Sequence, residues 1–372
     1  MKAPKSVCIV LVLILGFYTN AQEKIQDTLL HKSYDDLNTL FYYWLPKDTV
    51  TAKTIVNTYI AKARAEKDSI ETANGYYYYA TSFGAKRGLQ YADTIIALTE
   101  NIEDKYYPAV GYLLKGYWYF KTDNYRKALK YYLLGETFAV KRNNLQMQIH
   151  ILSMVAVLKT HTGDYRGALD IEKKHLHALE TQPKYREIVT NGPNLGNNFN
   201  THHLVAIHNL SLTFLHLKEN DSSRIYHQKG IAKSLEYKDT LKYYQIVSSS
   251  GSLEFYDGNF QAALDSLNKA IPHLTDDHNI AMAHYYKGRS YQALESHKDA
   301  LLMFLKTDSL ATKINYKFPE LREAYEYLAD YYDIKKERDS QLIYINKILD
   351  LDKELLRLRS MDGEIVRKYD TP

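Results

Sequence analysis

The sequence predicts an all-α protein, a solenoid of stacked helix-turn-helix units. Three observations carry that prediction. Proline and glycine are scarce, at 8 and 16 in 372 residues, which favours long helices over strands and tight turns. Small residues recur at a long, nearly constant interval. Aromatic and bulky residues recur at fixed offsets from them.

The elements follow in chain order. "MKAPKS" carries Lys2 and Lys5, and "VCIVLVLILGF" (7–17) supplies eleven apolar residues before "TNAQ". That apolar run is too short to cross a bilayer and suits a secretory signal. Residues 1–21 are therefore expected to be a cleavable signal peptide, cut near Ala21, and the mature protein to be secreted or periplasmic. No later segment approaches the apolar length of a membrane span. The only cysteine, Cys8, lies within the signal and follows "KSV", unlike a lipidation site. The mature chain would then have neither disulfides nor thiolate chemistry.

Residues 22–68 read as an N-terminal helical hairpin. "SYDDLNTLFYYWL" (33–45) stops at Pro46, and Asp48 is placed to cap the second helix. Beyond it, small or equivalent anchor positions fall at Gly88, Ala128, Ala168, Ser223, Ala263, Ala300 and Gln341, at intervals of 40, 40, 55, 40, 37 and 41. Twelve residues before the anchors lie Gly116, Ala156, Ser211, Gly251, Gly288 and Ala329. Three residues after these come Tyr119, Phe214, Tyr291 and Tyr332, and four after the anchors Tyr132, Leu267, Phe304 and Ile345. A hairpin whose two helices meet through small residues, with aromatics filling the flanks, explains these offsets. Such a hairpin cannot bury its apolar face alone, so neighbours must stack on it.

The pattern is clearest in "VGYLLKGYWYFKTDNYRKALKYYLLGE" (110–136) and "SSSGSLEFYDGNFQAALDSLNKAI" (248–271), and it resembles the tetratricopeptide repeat. The resemblance covers 69–350 and implies a right-handed superhelical array. The family unit is usually about 34 residues, so intervals near 40 keep a HEAT-type array of about 40–47 open as a rival. The long interval comes from "ETQPKYREIVTNGPNLGNNFNTHH" (180–203), read as an irregular insertion, either a plain loop or a flap over the binding surface. Residues 351–372 are expected to form a C-terminal capping helix, with Ile348, Leu351, Leu355, Leu358 and Ile365 at spacings that would also permit self-association.

Chemistry-bearing motifs are missing. There is no GxxxxGK[ST], HExxH, GxSxG or calcium-loop pattern, and "GAKRG" (84–88) has the wrong order for a phosphate loop. The 48 basic and 44 acidic residues are interspersed, leaving no nucleic-acid footprint. Histidines concentrate at His150, His161, His175, His177, His202, His203, His208, His216 and His227, but their spacing does not define a metal set. The sequence thus predicts no enzyme, no cofactor and no metal.

The resemblance implies that first helices line a concave groove. Carried over position by position, the candidate groove residues are Tyr117, His150, Ser153, His208, Ser248, Ser252, Tyr285, Arg289 and Gln292. The implied partner is a protein or peptide. The signal, the tyrosine-rich repeats and the ending "EIVRKYDTP" resemble the extracytoplasmic part of Bacteroidetes-type sensory regulators. A glycan-binding role in an uptake system is the alternative, because exposed tyrosines can stack on sugars.

Overall fold

The computed structural model describes residues 29–83, 87–122, 124–183 and 199–357. The signal segment, most of the 180–203 insertion, and Leu358 and Ile365 lie outside the described residues. The chain groups into two compact units, Met1–Thr122 with Lys130–Met147, and Asp123–Leu129 with Gln148–Pro372. The described residues are helical, with no strand among them.

The first unit contains α1 (Tyr34–Trp44), α2 (Thr49–Ala65), α3 (Ser69–Ser82), α4 (Gly88–Thr99) and α5 (Ala109–Lys121). Ser33 and Asp36 form a reciprocal capping box at α1. Asp48 caps α2 as the sequence predicts, accepting from the Val50 amide at 2.9 Å. Leu37, Phe41, Ile55, Val56 and Tyr59 are buried where α1, α2 and α3 meet. A Cβ on Gly75 would lie 2.3 Å from the Ile60 side chain, so only glycine lets α3 come this close.

Two helices are shared between the units, α6 (Tyr125–Lys141) and α7 (Leu145–His161). The second unit continues with α8 (Tyr165–Thr181), α9 (Phe199–His216), α10 (Asn220–Glu236), α11 (Thr240–Tyr256) and α12 (Phe260–Ala270). It ends with α13 (Asp277–Ala293), α14 (His297–Lys313), α15 (Leu321–Ile334) and α16 (Arg338–Arg357). Sequence neighbours pack as hairpins, α9 on α10, α11 on α12, α13 on α14 and α15 on α16, and each hairpin packs on the next. The helix carrying Gln341 continues unbroken to Arg357, with Leu351 buried and Ile348 and Leu355 packed on the core.

The predicted meeting of small residues is visible here. Ser223 donates its hydroxyl to the Ser211 carbonyl at 2.8 Å, joining the two positions twelve residues apart. A Cβ on Gly251 would lie 2.9 Å from Leu267 and 3.3 Å from the Ala263 carbonyl. Among the described residues, ten of the chain's 35 tyrosines belong to the buried core: Tyr59, Tyr78, Tyr107, Tyr112, Tyr125, Tyr132, Tyr285, Tyr286, Tyr325 and Tyr344.

One turn joins most of the helices. Lys67, Asn143, Gly163, Lys218, Lys238, Gly258, Glu295, Asn315 and Lys336 all have positive φ. The amide after each one bonds back to the carbonyl five residues earlier, as in Glu219 to Phe214 at 3.0 Å and Asp239 to Ser234 at 2.9 Å. This is the Schellman closure of a helix end. At Asp68, Asp164 and Asp239 the same residue then caps the next helix. One residue therefore ends one helix and starts another.

Candidate functional site

In the second unit α7, α9, α11 and α13 are the first helices of successive hairpins. Each has neighbours on several sides, which explains why "LSMVAVL" in α7 and "LVAIHNLSLTFL" in α9 are nearly continuous apolar runs. Where these helices face away from their partners, the residues turn small and polar. A cavity of about 460 Å³ opens there, lined by Thr160 and His161 of α7, His208 and Asn209 of α9, and Ser248, Ser249 and Ser252 of α11. Asn279 and Tyr286 of α13, Tyr316 to Glu320 before α15, and Leu355 of α16 complete its wall.

A hydrogen-bonded chain fixes part of this wall. His227 Nδ1 is 2.9 Å from the Ser223 carbonyl, which can only accept, so Nδ1 carries the proton. Its Nε2 then accepts from Ser249 Oγ at 3.0 Å. Ser249 Oγ in turn accepts from His208 Nε2 at 2.9 Å. The Ile246 carbonyl, also 3.0 Å from Ser249 Oγ, competes for that hydroxyl proton. Burial pushes His208 down to about 3 and His227 down to about 4, so both rings are neutral at pH 7. The chain holds three helices in register and presents His208 and Ser249 at the cavity.

Aromatic rings form another part. Tyr165 and His216 stack with centroids 4.8 Å apart and planes 7° from parallel. Burial lowers His216, while the nearby Glu320 carboxylate pulls it the other way. On α8, Glu172 lines the same cavity and is only 5% exposed. Burial pushes its carboxyl up to about 7, against a hydrogen bond from Thr213.

Of the nine sequence-predicted groove residues, His208, Ser248 and Ser252 line this cavity. Tyr117 belongs to the first unit and packs edge-on against Trp118. His150 sits edge-on to His202 at 6.1 Å, and Ser153 bonds the His150 carbonyl at 2.7 Å. Tyr285 is a core side chain, 2% exposed, whose hydroxyl donates to Glu323 at 2.6 Å. Arg289 pairs with the same Glu323 and lies over the Phe255 ring at 5.3 Å. Gln292 is exposed near the end of α13. Tyr285 and Arg289 are thus engaged with Glu323, which is half-exposed, an outcome that position within a repeat does not disclose.

The histidine concentration resolves into separate pairings. His203 bonds Tyr237 and Glu180 at 2.8 and 2.9 Å, His208 and His227 share Ser249, and His216 stacks on Tyr165. No group of three or more His, Cys, Asp or Glu that could hold a metal occurs among the described residues. No helix of the described residues is long and apolar enough to cross a membrane.

No protein-family model matches the sequence, and no curated protein matches it. Solved structures do. A signal transduction ATPase with numerous domains and a tetratricopeptide repeat sensor, from Pyrococcus horikoshii, aligns at 13% identity and TM-score 0.54. That alignment covers 90% of this chain and 50% of the other, so this chain spans about half the length of the ATPase. A Rap protein complexed with competence and sporulation factor aligns at 12% identity and TM-score 0.51, over 87% of this chain and 98% of that one. The APC/C hetero-tetramer Cut9–Hcn1 aligns at 12% identity and TM-score 0.50, over 88% and 59%. At these identities the likeness concerns the fold, and the fold is that of tetratricopeptide repeats.

Proposed function

We propose that this protein is a non-catalytic recognition module that binds a protein or peptide segment in the cavity of its second unit. The observation carrying this reading is that one continuous cavity is lined by the first helices of four successive hairpins. Its wall combines small hydroxyl and amide groups with aromatic faces, a surface suited to reading backbone and side chains together. The Rap structure is a complex with competence and sporulation factor, and the repeats of the P. horikoshii ATPase are described as a sensor. Both support recognition, and a sensory role is the narrower form of the proposal. Neither description favours the glycan-binding alternative.

The test is occlusion. Ser252→Trp would place an indole in the cavity. The variant should keep a cooperative melt and lose the partner that wild-type protein retains. Unchanged partner binding by a folded variant would contradict the proposal.

Two further parts of the reading rest on separate observations. Export rests on residues 1–21, and it requires a native N-terminus at Gln22 when the protein is sequenced from its own cell; an intact Met1 would refute it. Self-association rests on α16, where Leu342, Ile345, Leu349 and Leu356 are exposed. Their spacing gives an apolar stripe, interrupted at Asp352. Sedimentation should show a concentration-dependent dimer that Leu349→Glu abolishes, and a monomer at all concentrations would remove this part.

A further inference from the structure

One side chain gives the cavity a chemical preference. Glu172 is 5% exposed, lines the cavity, and has a carboxylate oxygen, Oε2, with no hydrogen-bond partner. Thr213 reaches the carboxylate, but no lysine or arginine is among the groups acting on it. Buried carboxylates are ordinarily paired, because an unpaired one loses its hydration without replacement. A pair elsewhere in the fold shows the ordinary arrangement: Lys159, its side chain 3% exposed, meets Asp164 at 2.6 Å. Glu172 has the burial of such a pair without the cation.

The remaining charge in the wall does not compensate. Lys317, exposed, and Glu320 both line the cavity with opposite sign. His208 and His216 have their pKa values lowered by burial, which favours neutral rings. The rings of Tyr165, Tyr286 and Tyr316 contribute aromatic surface, which attracts a cation over its faces. A buried carboxyl group that a bound cation would hold ionised, aromatic surface and uncharged hydrogen-bonding groups thus share one enclosure of about 460 Å³.

We propose that this cavity takes a cationic nitrogen group, an alkylammonium or guanidinium, which pairs with the Glu172 carboxylate. The proposal rests on the recognition reading and specifies what is recognised: a lysine or arginine side chain of a bound segment, or the same group on a free amine.

The test titrates the full chain by calorimetry with acetyl-Ala-Lys-Ala-amide, its arginine counterpart, an isosteric norleucine tripeptide, and butylamine. The lysine or arginine tripeptide should bind saturably, and at least about tenfold more tightly than the norleucine one, as a charge-assisted hydrogen bond provides. Glu172→Gln, which keeps the side chain's shape, should bring the basic tripeptides down to the norleucine affinity while still melting cooperatively. Butylamine binding as well as the lysine tripeptide would identify a free amine as the source, and markedly weaker binding a peptide side chain. Equal affinity for lysine and norleucine, unchanged lysine binding in Glu172→Gln, or no saturable binding of any basic probe would overturn the inference. If norleucine binds equally and Ser252→Trp blocks it, the cavity still recognises peptide and only the cationic preference fails.

Discussion

A Cβ built on Gly288 would stand 2.8 Å from the ring of Phe304, a side chain with no exposed surface. The two residues lie sixteen apart on α13 and α14, and Gly251 and Leu267 stand in the same relation on α11 and α12. Gly288→Ala should gain about 1 kcal/mol of helix propensity yet force the ring from its site. Overpacking of this kind costs about 1–3 kcal/mol, so the net change should be destabilising or near zero. Gly288→Leu should be plainly destabilising, by more than Gly288→Ala. Urea unfolding measures both, and stabilisation by leucine would show that the helices do not meet there.

The recurring turn makes a prediction of the opposite sign. Lys238 adopts φ 56°, a left-handed conformation that crowds its Cβ. Glycine is free of that crowding and is the usual residue at this position. Lys238→Gly should therefore stabilise by about 0.5–1 kcal/mol, even though glycine widens the unfolded ensemble. A loss of stability in the same urea titration would show that the Lys238 side chain contributes more than its backbone costs.

Acid should unfold the protein early. His150, His175, His227 and His284 are pushed down to about 4 by burial, and His208 to about 3. The unfolded chain takes up these protons near pH 6.5, whereas the folded chain resists until about 4. The stability they contribute is present above pH 6.5 and lost as pH falls through that window. For His227, which is 2% exposed, the loss is about 3 kcal/mol by pH 4. Several such groups together rival the whole stability of a typical domain, about 5–15 kcal/mol. Glu172 has the reverse sign: its raised pKa contributes stability below about 4.5 that is lost as pH rises through about 7. Circular dichroism should show unfolding complete above pH 4, and a native spectrum at pH 4 would mean the rings are not buried as described.

The hairpins were legible in the sequence because close helix packing restricts residue size. Ser211 with Ser223, and Gly251 with Ala263 and Leu267, must be small or complementary, and that requirement repeats with the unit. The turns were legible only in part. Gly163 and Gly258 announce the left-handed residue, and Asn143 and Asn315 hint at it. Lys218, Glu295 and Lys336 adopt it under tertiary constraint and look like ordinary helix residues. His208, Ser248 and Ser252 could be found from repeat position, since each lies on a first helix. Glu172 could not, because it sits on the packing helix α8. Neither could Tyr316 to Glu320 or Leu355, whose place in the wall depends on how successive hairpins curve within the unit. Tyr285 and Arg289 occupy the right positions, yet their partner Glu323 comes from the following hairpin.

First helices supply most of the recognition surface, and second helices, Tyr165 and Glu172 of α8 apart, mainly pack. Site-specific photo-crosslinking tests that division most directly. A benzophenone side chain at Gln245, which lines the cavity, should yield one dominant adduct in the protein's own cell, and the same group at Ile225, 61% exposed on α10, should yield none. Adduct formation at Ile225 and not at Gln245, in proteins that fold equally well, would contradict the account.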